Sequence, residues 1–175
     1  IVNCSFNKNC FNNRCNSDVI ICDKLKNNPT NIKFVMLSTS KVYGGTKKKI
    51  EISKCKPLTM YGKYRLYSEE YLKKRLKKNL IILRVSNVLN FDTRTKSISK
   101  TVINTMLTNL IKKNKIFIPI KNCYKDFITS KYLITCLDIL LKKKCYGIYN
   151  ISSNIKISLN QLVKKLIKSF GKGKI

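Results

Sequence analysis

Phe34-Val35-Met36-Leu37-Ser38-Thr39-Ser40-Lys41-Val42-Tyr43-Gly44 is the stretch from which the fold is read. Four apolar residues run unbroken and pass straight into three hydroxyl side chains. A run that does not alternate with period two marks a strand buried on both faces of a parallel sheet. Leu80-Ile81-Ile82-Leu83-Arg84-Val85 is a second run of this kind. Between them, over roughly 58 to 78, Tyr61, Tyr64, Tyr71, Leu72 and Leu76 recur at helical spacing, with Glu69 and Glu70 four residues before Lys73 and Lys74. That pattern reads as an amphipathic helix whose acidic residues pair along its outer surface. Strand, helix and strand make a crossover unit. Upstream, Ile1-Val2-Asn3-Cys4 resembles the end of another buried strand, followed by an Asn-rich loop and a helix from about Ser17 to Asn27. The expectation is α/β, a parallel sheet with flanking helices.

Downstream, Ile98, Val102, Ile103, Met106, Leu107, Leu110 and Ile111 predict a helix over 97 to 113, and Ile116 to Pro119 a short strand. Ser130 to Lys143 repeats the helical pattern, and Gly147 to Ile151 returns to strand. Ser158 and Gln161 have the spacing of a capping box, opening a helix that ends at Gly171. No internal repeat or linker interrupts the chain, so residues 1–175 read as a single domain. It opens at Ile1, without Met and inside a strand, and so reads as a fragment incomplete at its N-terminus.

Composition narrows the chemistry. The chain has 37 Lys plus Arg, 8 Asp plus Glu and no His, for a net charge of +29. With 43% apolar residues it can bury a core despite that charge. Without His there is no Ser-His-Asp triad, no Cys-His dyad and no common His-bearing zinc site. The eight cysteines include no Cys-x-x-Cys pair, so no metal is expected. They read as reduced, mostly buried small hydrophobes of a cytoplasmic protein. No apolar run approaches the ~18 residues that span a bilayer. The lysines fall in short runs such as Lys73-Lys74 and Lys142-Lys143-Lys144, on helix polar faces and ends. Such a surface binds nucleic acid only non-specifically, with steep salt dependence.

The hydroxyls of Ser38 and Thr39 stand at the carboxyl end of a buried parallel strand, where open α/β sheets bind ligands. Tyr61 and Arg65 are four apart on a helix and project together. A cation close to a phenol favours the phenolate. Thr39 can hydrogen-bond the same substrate oxygen, so these groups can pass a proton to or from a carbonyl while a cofactor moves hydride.

Ser38-Thr39, Val42-Tyr43-Gly44, Pro57-Leu58-Thr59-Met60-Tyr61-Gly62-Lys63-Tyr64-Arg65 and Leu83-Arg84-Val85-Ser86-Asn87-Val88 follow one another in the chain. In that order they resemble the extended short-chain dehydrogenase/reductase family, the NAD-dependent epimerase/dehydratases and dTDP-4-dehydrorhamnose reductases. Lys125-Asp126-Phe127 and Gly147-Ile148-Tyr149-Asn150-Ile151 extend the likeness over almost the whole chain. The resemblance implies a Rossmann-like fold, NAD or NADP as cofactor and a nucleotide-sugar substrate. It implies Thr39 as the polarising hydroxyl, Tyr61 as general acid/base, and Arg65 in place of the lysine that holds the nicotinamide ribose. Asn3, Cys4, Ser5, Ser38, Val85 and Ser86 are implied along the cofactor, and Tyr43, Asn87 and Lys125 at the substrate. A homodimer through the tyrosine-bearing helix and the helix before it is also implied.

Two features depart from the family pattern. Arg65 is a planar fork where the family has a compact ammonium. No Gly-x-x-Gly-x-x-Gly turn, the element that sets backbone amides against a pyrophosphate, occurs anywhere in the chain. The residues therefore leave a second reading open: a degenerate, non-catalytic Rossmann remnant that binds polyanions through its basic surface. On either reading this stretch alone is expected to lack turnover.

Overall fold

A computed structural model describes residues 1–4, 16–26, 32–46, 49–89, 102–116 and 124–171. These residues divide into two compact units, one of Ile1–Ser86 with Leu133–Ile151 and one of Asn87–Tyr132 with Ser152–Ile175.

The first unit is built on a four-stranded sheet of β1 (Val2–Asn3), β2 (Phe34–Thr39), β3 (Leu80–Val85) and β7 (Gly147–Ile151), side by side in that order. Every pair in it is parallel. Thr39, Val85 and Ile151 lie level with one another at the carboxyl edge. All six residues of β3 are buried, as the unbroken apolar run predicts, and so are all of β2 except Leu37. Two helices connect the strands, α1 (Ser17–Lys26) between β1 and β2 and α2 (Met60–Leu76) between β2 and β3. Cys22 and Leu72 from these helices pack with Phe34, Met36, Leu80 and Ile82, alternate residues of one sheet face. The sheet is Rossmann-like: parallel strands joined through helices, with their carboxyl ends gathered on one edge.

The second unit holds β4 (Asn87–Leu89) parallel to β6 (Phe127–Thr129) and β5 (Tyr124–Lys125) antiparallel to β8 (Ile157–Ser158). Its core is Met106, Leu110 and Ile116 packed with Leu159, Leu162, Val163 and Leu166, from α3 (Val102–Lys113), α5 (Leu159–Phe170) and the residues flanking them. The capping box at α5 forms as the sequence predicts, with Ser158 accepting from the Gln161 amide and Gln161 reaching back to the Ser158 amide. Gly171 ends the helix with φ 67°, in the left-handed region where glycine carries no steric penalty. Between β6 and β7 in the chain lies α4 (Ser130–Lys142), none of whose side chains is fully buried.

Two expectations are corrected here. The cysteines are not mostly buried: among the described ones Cys22 alone is, while Cys4 is exposed and Cys55, Cys136 and Cys145 are half-buried. Nor is the inward face of α2 made of the tyrosine and leucine stripe alone: Tyr64 and Leu72 of the stripe are buried and Tyr71 and Leu76 half-buried, but polar residues share the face. Its fully buried residues are Gly62, Tyr64, Arg65, Ser68, Glu69 and Leu72, because polar partners wait for it on α1, β2 and β3. The strand expected at 116 to 119 and the start of the helix expected from 97 lie largely outside the described residues.

Candidate active site

At the carboxyl end of β2 the chain turns at once into a short 3-10 helix, Ser40–Tyr43. Thr39 caps it, extended at φ −142°, its hydroxyl oxygen accepting from the Lys41 amide at 3.3 Å. A hydroxyl that accepts there keeps its own proton to donate. The turn closes on Gly44, φ 56°, whose amide donates to the Lys41 carbonyl at 3.2 Å. A side chain at Gly44 would run into the Lys56 carbonyl oxygen, with Cβ only 1.7 Å away. Tyr43 is buried beneath this turn and donates its hydroxyl to Asn150 Oδ1 at 2.7 Å.

The other half is the first turn of α2. Thr59 caps the helix by accepting from the Gly62 amide at 3.1 Å. Gly62 lies so close to the preceding turn that a Cβ there would sit 2.8 Å from the Lys41 carbonyl oxygen and 3.0 Å from Pro57 Cβ. The glycine after Tyr61 therefore lets the helix start press against the strand-end turn, which sets the tyrosine beside the residues that follow Thr39. Two cations flank the Tyr61 ring: Lys41 Nζ is 5.6 Å and the Arg65 guanidinium carbon 5.7 Å from its centre.

Beneath this surface the packing is ionic. Arg65 is 4% exposed and donates to Asp18 Oδ2 at 2.7 Å. Asp18 also accepts from the Asn3 amide at 2.6 Å, so one carboxylate ties β1, α1 and α2 together. Burial pushes the Asp18 carboxyl above its ordinary range, against the pull of Arg65 and Asn3. A second group forms one turn further along α2. Ser38 donates to Glu69, and Glu69 is gripped by Arg84 Nε and Nη2, the latter at 2.6 Å. Arg84 also covers the Tyr43 ring at 4.8 Å and donates to the Glu51 carbonyl. Glu69 is thus no surface partner of Lys73, as its spacing suggests; a buried arginine on β3 is the stronger claimant.

Of the other sequence-predicted positions, Asn3 is buried with its amide on Asp18, Cys4 is exposed, and Ser5 lies outside the described residues. Val85 is buried at the carboxyl end of β3. Next to it the Ser86 hydroxyl oxygen is buried with no hydrogen-bond partner among the described residues. Asn87 and Lys125 belong to the second unit, where Asn87 Nδ2 donates to the Asp126 carbonyl at 2.8 Å and Lys125 is in β5. Asp126 accepts from the Ser153 amide and hydroxyl and from the Ile155 amide, capping the loop after β7. Among the described residues no group of His, Cys, Asp or Glu could hold a metal ion, and no helix is long and apolar enough to cross a membrane. Sequence reading misses Asp18, Glu69 and Arg84 as site supports. Its available signal was the scarcity of acidic residues, 8 in 175, beside an arginine inside an apolar strand.

The fold is shared with solved nucleotide-sugar enzymes. The dTDP-glucose 4,6-dehydratase of Bacillus anthracis, solved in complex with NAD, superposes with a TM-score of 0.76 at 24% identity, over 90% of this chain and 51% of that one. The UDP-N-acetylglucosamine 4-epimerase of Bacillus cereus gives 0.73 at 19%, over 86% and 54%. The dTDP-4-dehydrorhamnose reductase of Yersinia enterocolitica gives 0.72 at 16%, over 86% and 52%. The chain thus spans about half the length of these structures. No curated protein matches it by sequence. Residues 2–152, which carry the parallel sheet, the Thr39 turn and the Tyr61 helix, match the NAD dependent epimerase/dehydratase family, and the chain belongs to that family.

Proposed function

We propose that the protein carrying this chain is a nucleotide-sugar epimerase, dehydratase or reductase in which Thr39 and Tyr61 form the acid/base pair. The observation that carries the reading is the clamped junction of β2 and α2, where close approach at Gly62 holds the Tyr61 turn against the turn capped by Thr39. Thr39 keeps a hydroxyl proton to donate to a sugar oxygen. Tyr61 then takes the proton from that oxygen or returns it, with the Lys41 ammonium and the Arg65 guanidinium flanking its ring.

A bound NAD or NADP supplies the hydride acceptor and donor. Several residues fit such a group. The buried Ser86 oxygen, with no partner among the described residues, stands beside the level carboxyl ends of β2 and β3, the edge where open α/β sheets take ligands. Ser38 and Val85 line the same strand ends, and Cys4 follows β1. Asn87 and Lys125 are proposed as contacts to the nucleotide sugar, and a homodimer through α1 and α2 as the working form, in the cytoplasm. The 175-residue stretch alone is proposed to be inactive.

One observation favours the non-catalytic reading: Arg65, at the position of the ribose-holding lysine, is bonded to Asp18. Turnover of UDP- and dTDP-sugars by the protein that contains this chain separates the two. Tyr61→Phe is expected to lower it at least ~100-fold with the circular dichroism spectrum unchanged. Unchanged turnover removes Tyr61 from the reaction. Salt-sensitive RNA binding without NADH binding would establish the polyanion module instead.

A further inference from the structure

We infer that Asn150 is a positioning residue for the proposed acid/base pair: from β7 it pins the segment 49–57, which joins the Thr39 turn to the Tyr61 helix. The inference rests on the roles proposed for Thr39 and Tyr61, and it moves Tyr43 from the substrate to this clasp. Ser38, Arg84 and Asn150 are level with one another on β2, β3 and β7. Side chains that are level on neighbouring parallel strands share a face, and two residues back along each strand that face is apolar, with Met36, Ile82 and Ile148. A polar row therefore ends an apolar sheet face. Each member of the row is bonded to a residue far away in the chain.

Asn150 makes three such bonds. Its backbone amide donates to Glu51 Oε1 at 2.8 Å, its Nδ2 donates to the Lys49 carbonyl at 3.0 Å, and its Oδ1 accepts from the Tyr43 hydroxyl at 2.7 Å. Arg84 adds a fourth tie, donating Nη1 to the Glu51 carbonyl at 3.3 Å. The segment so held is also bonded to itself. The Ile50 amide donates to Ser53 Oγ, the Ser53 amide donates back to the Ile50 carbonyl, and Thr46 Oγ1 donates to the Lys54 carbonyl. Its far end meets both halves of the site. The Lys56 carbonyl oxygen fills the space beside Gly44, and Pro57 packs against Gly62. A shift of the segment thus displaces the turn capped by Thr39 and the start of α2 together. Tyr43 belongs to the same clasp: it is 1% exposed, with Arg84 over its ring and its hydroxyl on Asn150, which leaves no surface for a sugar.

The test follows amide hydrogen exchange and the turnover of UDP- and dTDP-sugars in the protein that contains this chain. Asn150→Ala is expected to speed exchange at least ~10-fold at Gly44 and Gly62, whose amides close the two turns, and to leave Ile81 and Leu83 in β3 unchanged. It is expected to lower kcat about 10- to 100-fold with KM nearly unmoved, the signature of a displaced catalytic group. Tyr43→Phe, which removes one bond and keeps the ring, is expected to act in the same sense and less strongly. Glu51→Ala is expected to lower kcat as well, and Glu51→Gln, whose side-chain oxygen still accepts from the Asn150 amide, to retain most of it. Unmoved exchange at Gly44 and Gly62, exchange that rises equally in β3, or full kcat in Asn150→Ala overturns the inference. So does a Tyr43→Phe variant that raises KM with kcat intact, because Tyr43 then touches the substrate. The exchange pattern is read without cofactor or sugar. Full turnover by Tyr61→Phe therefore overturns the enzymatic reading, and unmoved exchange in Asn150→Ala overturns the clasp alone.

Discussion

In the second unit, α3 and α5 close on Met106, Leu110, Leu162, Val163 and Leu166, side chains without a hydrogen-bonding group among them. In the first, α2 turns Arg65, Ser68 and Glu69 inward, and meets Asp18, Asn16, Ser38 and Arg84. Apolar packing is non-directional and tolerates small shifts, whereas each buried ionic contact has one geometry and a heavy penalty when it is missed. The ionic packing lies directly beneath the β2 strand end and the Tyr61 helix. Where the chain only has to hold together it uses hydrocarbon. Where two backbone segments must meet in one register it uses charge and hydrogen bonds, which suits the acid/base pair proposed for Thr39 and Tyr61.

The contrast is sharpest at Glu69. Glu69→Ala leaves the Arg84 guanidinium buried without its carboxylate, and urea unfolding is expected to show a loss of about 3–5 kcal/mol. Replacing both partners, Glu69→Leu with Arg84→Met, is expected to recover most of that loss, because two paired charges give way to two apolar groups of similar size. A double variant no better than the single one would show that the site needs these charges for the fold itself. In the apolar unit the pattern reverses. Leu110→Ala opens a cavity worth about 2–4 kcal/mol, and adding Leu166→Ala in the same cluster is expected to deepen the loss. Recovery on the second truncation would break the contrast.

The same contrast explains what was legible in the sequence. β2 and β3 announce themselves because strands buried on both faces need unbroken apolar residues, and α5 because its cap and its glycine stop are local. The ordered motifs around Thr39 and Tyr61 point to the family before any contact is known. The buried face of α2 is illegible because its partners are remote: Arg65 meets a residue 47 positions away and Ser38 one 31 positions away. Glu69 has lysine at i+4, so periodicity assigns it to the surface. Lys41 carries no signal in a chain this rich in lysine. The strands of the second unit, two or three residues long, are too short to show a period.

Asp18 asks whether both buried pairs belong on the ionic side of the comparison. Its carboxyl is raised above the ordinary range because burial outweighs the help of Arg65 and Asn3. The folded chain therefore holds the Asp18 proton more tightly than the unfolded chain. Between the ordinary carboxylate value, about 3.9, and the raised one, the folded state carries more protons, so the contribution of this site to stability falls as pH rises. Asp18→Asn keeps the shape and cannot ionise, which makes it the reference. Urea midpoints of both proteins from pH 4 upward are expected to show any advantage of the native chain over Asp18→Asn shrinking with pH, by at most about 1.4 kcal/mol per pH unit. The other carboxylates are common to both proteins and cancel in the difference. An advantage that grows with pH would mean that attraction to Arg65 outweighs burial. Asp18–Arg65 would then be a clamp driven by charge, as at Glu69–Arg84. A shrinking one makes Asp18 a carboxylate held in place by the packing around it, tolerated because it keeps the Arg65 guanidinium occupied.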